Sequence, residues 1–143
     1  MANLEKKSFD NPDELKTPEK TNAAVVNFGT VAASRLILKP GWKWSECIKP
    51  EVGTESCQAG HVGMILQGTL KVVHDDGSEI TVSAGEAYSI APGHDGWVVG
   101  DEEVIGYEFN NAGKDYAVSL GYFCDRANRL IANSCARHRC VYS

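Results

Sequence analysis

Cys57 and His61 stand four residues apart, and His94 lies in the run Pro92-Gly93-His94-Asp95. A thiolate and two imidazoles form a mixture that a borderline divalent cation accepts. Three such ligands leave a tetrahedral ion one open position for water or substrate. Zinc suits this set best, and iron, nickel and copper are compatible with it. Glu46 and Cys47 are candidates for a fourth donor. His94 has a second use as general acid or base, because imidazole changes charge near neutral pH. Glu46 and Tyr88 are the other candidates for handling a proton. Adjacent residues on an extended segment point apart, so Asp95 reads as a turn residue bonding its own backbone. A plainer reading competes with the metal: Cys57 packs as a small apolar group, and His61 bonds a neighbouring carbonyl.

Groups spread from position 57 to 94 need a frame of strands to bring them together. The runs AAVVNFG, VAASRLIL and GWKWSECI are rich in strand formers. Trp42 and Trp44 are two apart, which puts both on one face if that run is a strand. The segment KPEVGTESCQAG is polar and glycine-containing, and reads as a loop. TLKVVH and EITVS alternate apolar and polar residues across Asp76-Gly77, a dipeptide that can take the positive φ values of a hairpin turn. EAYSIAP, GWVVGDEEVIGYEF and YAVSLGYF continue the series. Short strands between regular turns indicate an all-β sandwich or barrel.

Composition narrows the function. A chain of 143 residues is long enough for one domain with a real core. The net charge of -5 argues against a nucleic-acid binder, which needs a basic face. No apolar run is long enough for a membrane span, and the first residues lack the hydrophobic centre of a secretory signal, so the expected location is the cytoplasm. The 5 cysteines then read as thiols rather than as a disulfide framework. Residues 1–21 mix charges with Pro12 and Pro18. They read as a flexible arm, or as an edge strand that orders on a partner. Residues 22–123 carry the strand signals. In 124–143, DRANRLIANS fits a short helix with Asp125 as N-cap. The group Cys124, Cys135, His138 and Cys140 lacks paired Cys-x-x-Cys spacing and reads as free thiols. His74, beside the Asp75-Asp76-Gly77 turn, reads as exposed and without a role.

The spacing of glycines and turn residues resembles the cupin superfamily. Its first motif runs Gly, five residues, His-x-His, a short gap, Glu, six residues, Gly. Here Gly41 is followed by five residues and Cys47, and His61 by six residues and Gly68. The second motif runs Gly, five residues, Pro-x-Gly, two residues, His. Here Gly85 has five residues before Ala91, then Pro92 and Gly93. The resemblance implies an antiparallel β-barrel of jelly-roll type, a small-molecule ligand in its interior, and a homodimer. It also implies a metal held by three His and one Glu. In this chain Cys47, Lys49, His61 and Gly96 stand at those four positions, with His94 two residues before the last. In the cupin arrangement the turn carrying His94 faces the strand mouth carrying Cys57 and His61, so these three are the expected metal ligands. Trp42, Trp44, Met64, Tyr88, Trp97 and Tyr107 are candidates to line the interior. Two functions are compatible with this: a metal-binding enzyme acting on a compact organic molecule, or a non-catalytic module that binds or senses one.

Overall fold

The computed structural model describes residues 2–111. The expected strand YAVSLGYF, the helix at Asp125 and the group Cys124, Cys135, His138 and Cys140 lie outside the described residues. Nine strands form two antiparallel sheets among the described residues. The larger sheet has the order β1 (Glu14–Lys16), β2 (Thr21–Phe28), β3 (Val31–Leu38), β9 (Val104–Asn111), β4 (His61–Gln67), β7 (Ala87–Ile90). The smaller has the order β6 (Glu79–Ser83), β5 (Thr69–His74), β8 (His94–Val98). Among the described residues the strands divide between these two sheets rather than joining in one closed ring. The class is all-β, as the alternating pattern predicts. No helix among the described residues is long and apolar enough to cross a membrane.

The core lies between the sheets. Leu38, Ile65, Ile90 and Val104 come from the larger one, and Leu70, Val72, Val82 and Val98 from the smaller. Alternation explains the choice: in β7 Tyr88 and Ile90 are buried while Ala87 and Ser89 are exposed. Within the N-terminal residues, Glu14–Lys16 pairs with Ala23–Val25 as an edge strand. Lys7 holds Asp13 at 2.8 Å, and Asp13 accepts the Asn27 amide at 2.7 Å.

Two local readings change. GWKWSECI is not a strand: Trp44–Cys47 forms α1 and Lys49–Val52 forms α2, each a single turn. The Ser45 amide donates to Asp95 Oδ1 at 3.1 Å, which anchors the start of α1 on β8. Pro50 falls in the first turn of α2, where its missing N–H removes no helical bond. In the β5–β6 hairpin only Gly77 takes a positive φ, of 89°. Asp76 instead accepts the Ser78 amide on Oδ1 at 2.8 Å, so a side chain closes the turn.

Gly63 is the tightest point of the larger sheet. It lies opposite Tyr88 on β7 and opposite Glu108 on β9. A Cβ there would meet the Tyr107 carbonyl oxygen, and would come within 2.9 Å of both Glu108 Cγ and the Tyr88 hydroxyl. We expect Gly63→Ala to destabilise the protein by about 1–3 kcal/mol, because backbone must move to admit the methyl. The shift in the chemical-denaturation midpoint measures it.

Candidate metal centre

Three backbone arrangements bring the reactive side chains together. His61 opens β4 and pairs across to Ile90 on β7. His94 opens β8. Cys57 sits in the preceding loop, but its amide donates to the His94 carbonyl at 2.7 Å and its carbonyl accepts the Gly93 amide at 2.7 Å. This isolated antiparallel bridge sets Cys57 beside His94. The β5–β6 turn braces it from behind. His74 Nε2 donates to the Pro92 carbonyl at 2.8 Å, and Asp75 Oδ2 accepts the Ser56 hydroxyl at 2.7 Å. His74 is therefore half-buried and structural, where its place next to a turn suggests exposure.

The ligand atoms of Cys57, His61 and His94 all lie within 4.8 Å of one another. Cys57 Sγ is 3.6 Å from His61 Nε2, and the two imidazoles meet edge to face with centroids 5.2 Å apart. Each ring is oriented from its far side. His94 Nδ1 lies 2.7 Å from the Ala91 carbonyl, which can only accept, so the proton sits on Nδ1. His61 Nδ1 donates to Glu108 Oε2 at 2.9 Å, and the other carboxylate oxygen accepts the Tyr88 hydroxyl at 2.8 Å. Both Nε2 atoms are thereby turned toward the thiol. Imidazole held at Nδ1 by a carboxylate or carbonyl is the usual support of a metal-ligating histidine. The donor set and its orientation suit a divalent metal ion.

Electrostatics tie the cluster together further. Burial pushes the Cys57 thiol up, but hydrogen bonds from His61 and His94 outweigh it and bring the pKa down to about 6. Burial pushes His61 down, but the thiolate and Glu108 outweigh it and raise the pKa to about 10. Burial, and then the Glu108 carboxylate, raise Tyr88, so its hydroxyl keeps its proton.

The other expected residues divide by strand parity. Trp42 and Trp44 line a cavity of about 830 Å³ that opens onto the cluster, as do Tyr88 and Glu108. Met64, Trp97 and Tyr107 do not line it. Each is one residue out of phase with inward neighbours: Met64 lies between Gly63 and Ile65, Trp97 between Gly96 and Val98, Tyr107 between Gly106 and Glu108. Met64 is exposed, Trp97 lies under the ammonium groups of Lys43 and Lys71, and Tyr107 packs on Phe9 at 5.4 Å. Glu46 is on α1 and absent from the cavity wall. Cys47 is buried in the core, and Lys49 pairs with Glu55 at 2.9 Å. Neither belongs to the cluster of Cys57, His61 and His94. Glu108 is the residue that sequence reasoning misses. Its signal is an acid two places from Gly106 on the inward face of GYEF.

No protein-family model matches the chain, and no curated protein matches it significantly. Solved structures do. The formate complex of oxalate decarboxylase from Lactobacillus farciminis is 18% identical with a TM-score of 0.51, covering 79% of this chain and 35% of its own. A protein of unknown function from Rhizobium leguminosarum is 16% identical with a TM-score of 0.54, covering 77% and 99%. KdgF from Halomonas is 17% identical with a TM-score of 0.50, covering 71% and 89%. The chain thus spans about a third of the length of the oxalate decarboxylase it matches. These likenesses show the cupin fold.

The paired shifts predict a specific pH response. In metal-free protein, thiolate absorbance in the ultraviolet should develop with a midpoint near pH 6, and Cys57→Ser should abolish that step. His61→Ala should move it upward. Stability follows by linkage. The lowered thiol stabilises fully above 9.0 and not below about 6; the raised imidazole stabilises fully below 6.5 and not above about 10. The two slopes cancel between 6.5 and 9.0, so the denaturation midpoint should be flat there and fall on either side.

Proposed function

We propose that this chain of cupin fold is a metal-dependent protein for a small organic molecule. In this reading Cys57, His61 and His94 hold a zinc ion, and the adjoining cavity holds the molecule. One observation carries it: three donor atoms within 4.8 Å of one another, on the wall of a cavity of about 830 Å³. Thiolate with two imidazoles favours zinc over the harder cations. Such an ion supplies Lewis acidity, polarising a bound oxygen or lowering the pKa of water.

The chain's own residues orient and exclude. Glu108 fixes the proton of His61 on Nδ1, and the Ala91 carbonyl does the same for His94. Tyr88 keeps its proton and donates a hydrogen bond to Glu108, so its part is to hold that carboxylate in place. His94, with Nε2 given to the ion, is a ligand rather than a base. The core that surrounds the cluster keeps bulk water from its back. The apolar cavity also supports the simpler reading, a module that binds a molecule without transforming it. Turnover against binding alone separates the two.

A homodimer is part of the proposal. Met64, Leu66 and Phe109 are exposed on the outer face of β4 and β9, and adjoining apolar groups on a sheet favour a partner. Light scattering should report a dimer, and Phe109→Asp a monomer.

Metal analysis tests the centre. Purified protein should carry about one equivalent of zinc per chain. Cys57→Ser and His61→Ala should each lose it, and Glu108→Gln should weaken the affinity about 10–100-fold. Full occupancy in both Cys57→Ser and His61→Ala would remove those residues as ligands.

A further inference from the structure

The cavity wall differs in kind from its floor. Leu36, Leu38, Trp42, Ile48, Leu70 and Ile90 contribute hydrocarbon and aromatic surface. Two of the polar groups interspersed among them are already paired, while Thr17, Glu51 and Gln58 line the opening as exposed residues. Trp42 Nε1 donates to Thr21 Oγ1 at 2.9 Å, and Thr54 Oγ1 donates to the Ser56 carbonyl at 2.8 Å. Away from those exposed residues, the titratable side chains of the lining are gathered in one connected patch, formed by Cys57, His61 and His94 with Glu108 and Tyr88 behind. Among the described lining residues there is no arginine, and the single lysine, Lys16, is exposed at the rim.

We infer that the cavity is built for an amphiphile with one polar end: an aliphatic or aromatic body against the wall, and a single oxygen or similar group at the patch. The inference rests on the reading of this cavity as the binding site, and is independent of whether metal occupies the patch. The energetics set the choice. Each apolar group removed from water against this wall is favourable, roughly 0.8 kcal/mol per CH₂. Each hydroxyl placed there without a partner costs about 1–3 kcal/mol, and a carboxylate costs more. A compact dianion at the patch would find one polar end, with the one lining lysine, Lys16, out at the exposed rim, and a polyhydroxylated molecule would leave most of its groups unpaired. The volume, about 830 Å³, suits a ligand well beyond the size of oxalate.

Isothermal titration of the full chain, metal-free and zinc-loaded, tests this with four probes. These are 1-octanol and 3-phenylpropanol against oxalate and gluconate. The expected result is binding of both alcohols at least tenfold tighter than either polar probe, in both forms of the protein. Leu36→Trp, which fills the cavity, and Ile48→Glu, which charges its wall, should each weaken alcohol binding at least tenfold. Either variant suffices if the other does not fold, and zinc content should be unchanged in both. Tighter binding of oxalate or gluconate overturns the inference, as does alcohol binding that neither variant alters, or no alcohol binding at all. Loss of the zinc reading alone leaves the alcohol preference standing, so the two fail separately.

Discussion

The site depends on one buried carboxylate. Glu108 is 7% exposed, and both of its oxygens are committed, one to the Tyr88 hydroxyl and one to His61 Nδ1. A carboxylate taken out of water is tolerated only with partners of this kind. Those two bonds do more than satisfy it. They hold Nδ1 of His61 on the carboxylate, and they aim Nε2 at Cys57. Without Glu108 the His61 ring would lose its fixed orientation, and with it one of the two imidazole partners that outweigh the burial of Cys57.

Strand register makes that contact possible. Tyr88, Gly63 and Glu108 stand in a row across β7, β4 and β9. Side chains on alternate strands are normally held apart by the one between them, since neighbouring strands are about 4.8 Å apart. Gly63 removes the obstruction, and the hydroxyl and carboxylate meet over it at 2.8 Å. The same register puts His61 two residues along β4, on the same face, within reach of the free oxygen. A one-residue slip of β4 would turn Met64 inward and His61 outward. The hydrophobic pattern that holds Ile65 in the core therefore also holds the imidazole at the site.

Much of this is legible in the chain and some is not, for separable reasons. Strands with one buried face announce themselves by alternation, so β5 and β6 are readable, while β2 and β3 are readable from their content of strand formers. Cys57, His61 and His94 are readable as donors because their chemistry is rare and their spacing matches turn and strand mouth. Large side chains mislead: residue type assigns Met64, Trp97 and Tyr107 inward, whereas parity with Gly63, Gly96 and Gly106 assigns them outward. Glycines are poor markers of a buried face in sequence, yet here these three lie on it. Glu108 is hidden because an acid in a strand reads as solvent-facing unless its phase is counted. The helical turn at Trp44 is hidden because it depends on Asp95, far along the chain.

Charge gives the arrangement its final logic. In the metal-free molecule the thiolate of Cys57 faces Nε2 of the His61 imidazolium, and Glu108 stabilises the same cation from behind at Nδ1. That pair carries the net charge of a neutral thiol and neutral imidazole, so forming it shifts no protons to or from solvent across neutral pH. A divalent cation entering the cluster would need the thiolate already present and the imidazole neutral. At neutral pH it would therefore displace the proton of His61 rather than that of Cys57. The carboxylate that raises the imidazole's affinity for its proton raises its basicity toward the metal as well, so Glu108 strengthens both competitors. Charge would tip the balance: a dication beside one thiolate and one carboxylate would be better compensated than a proton.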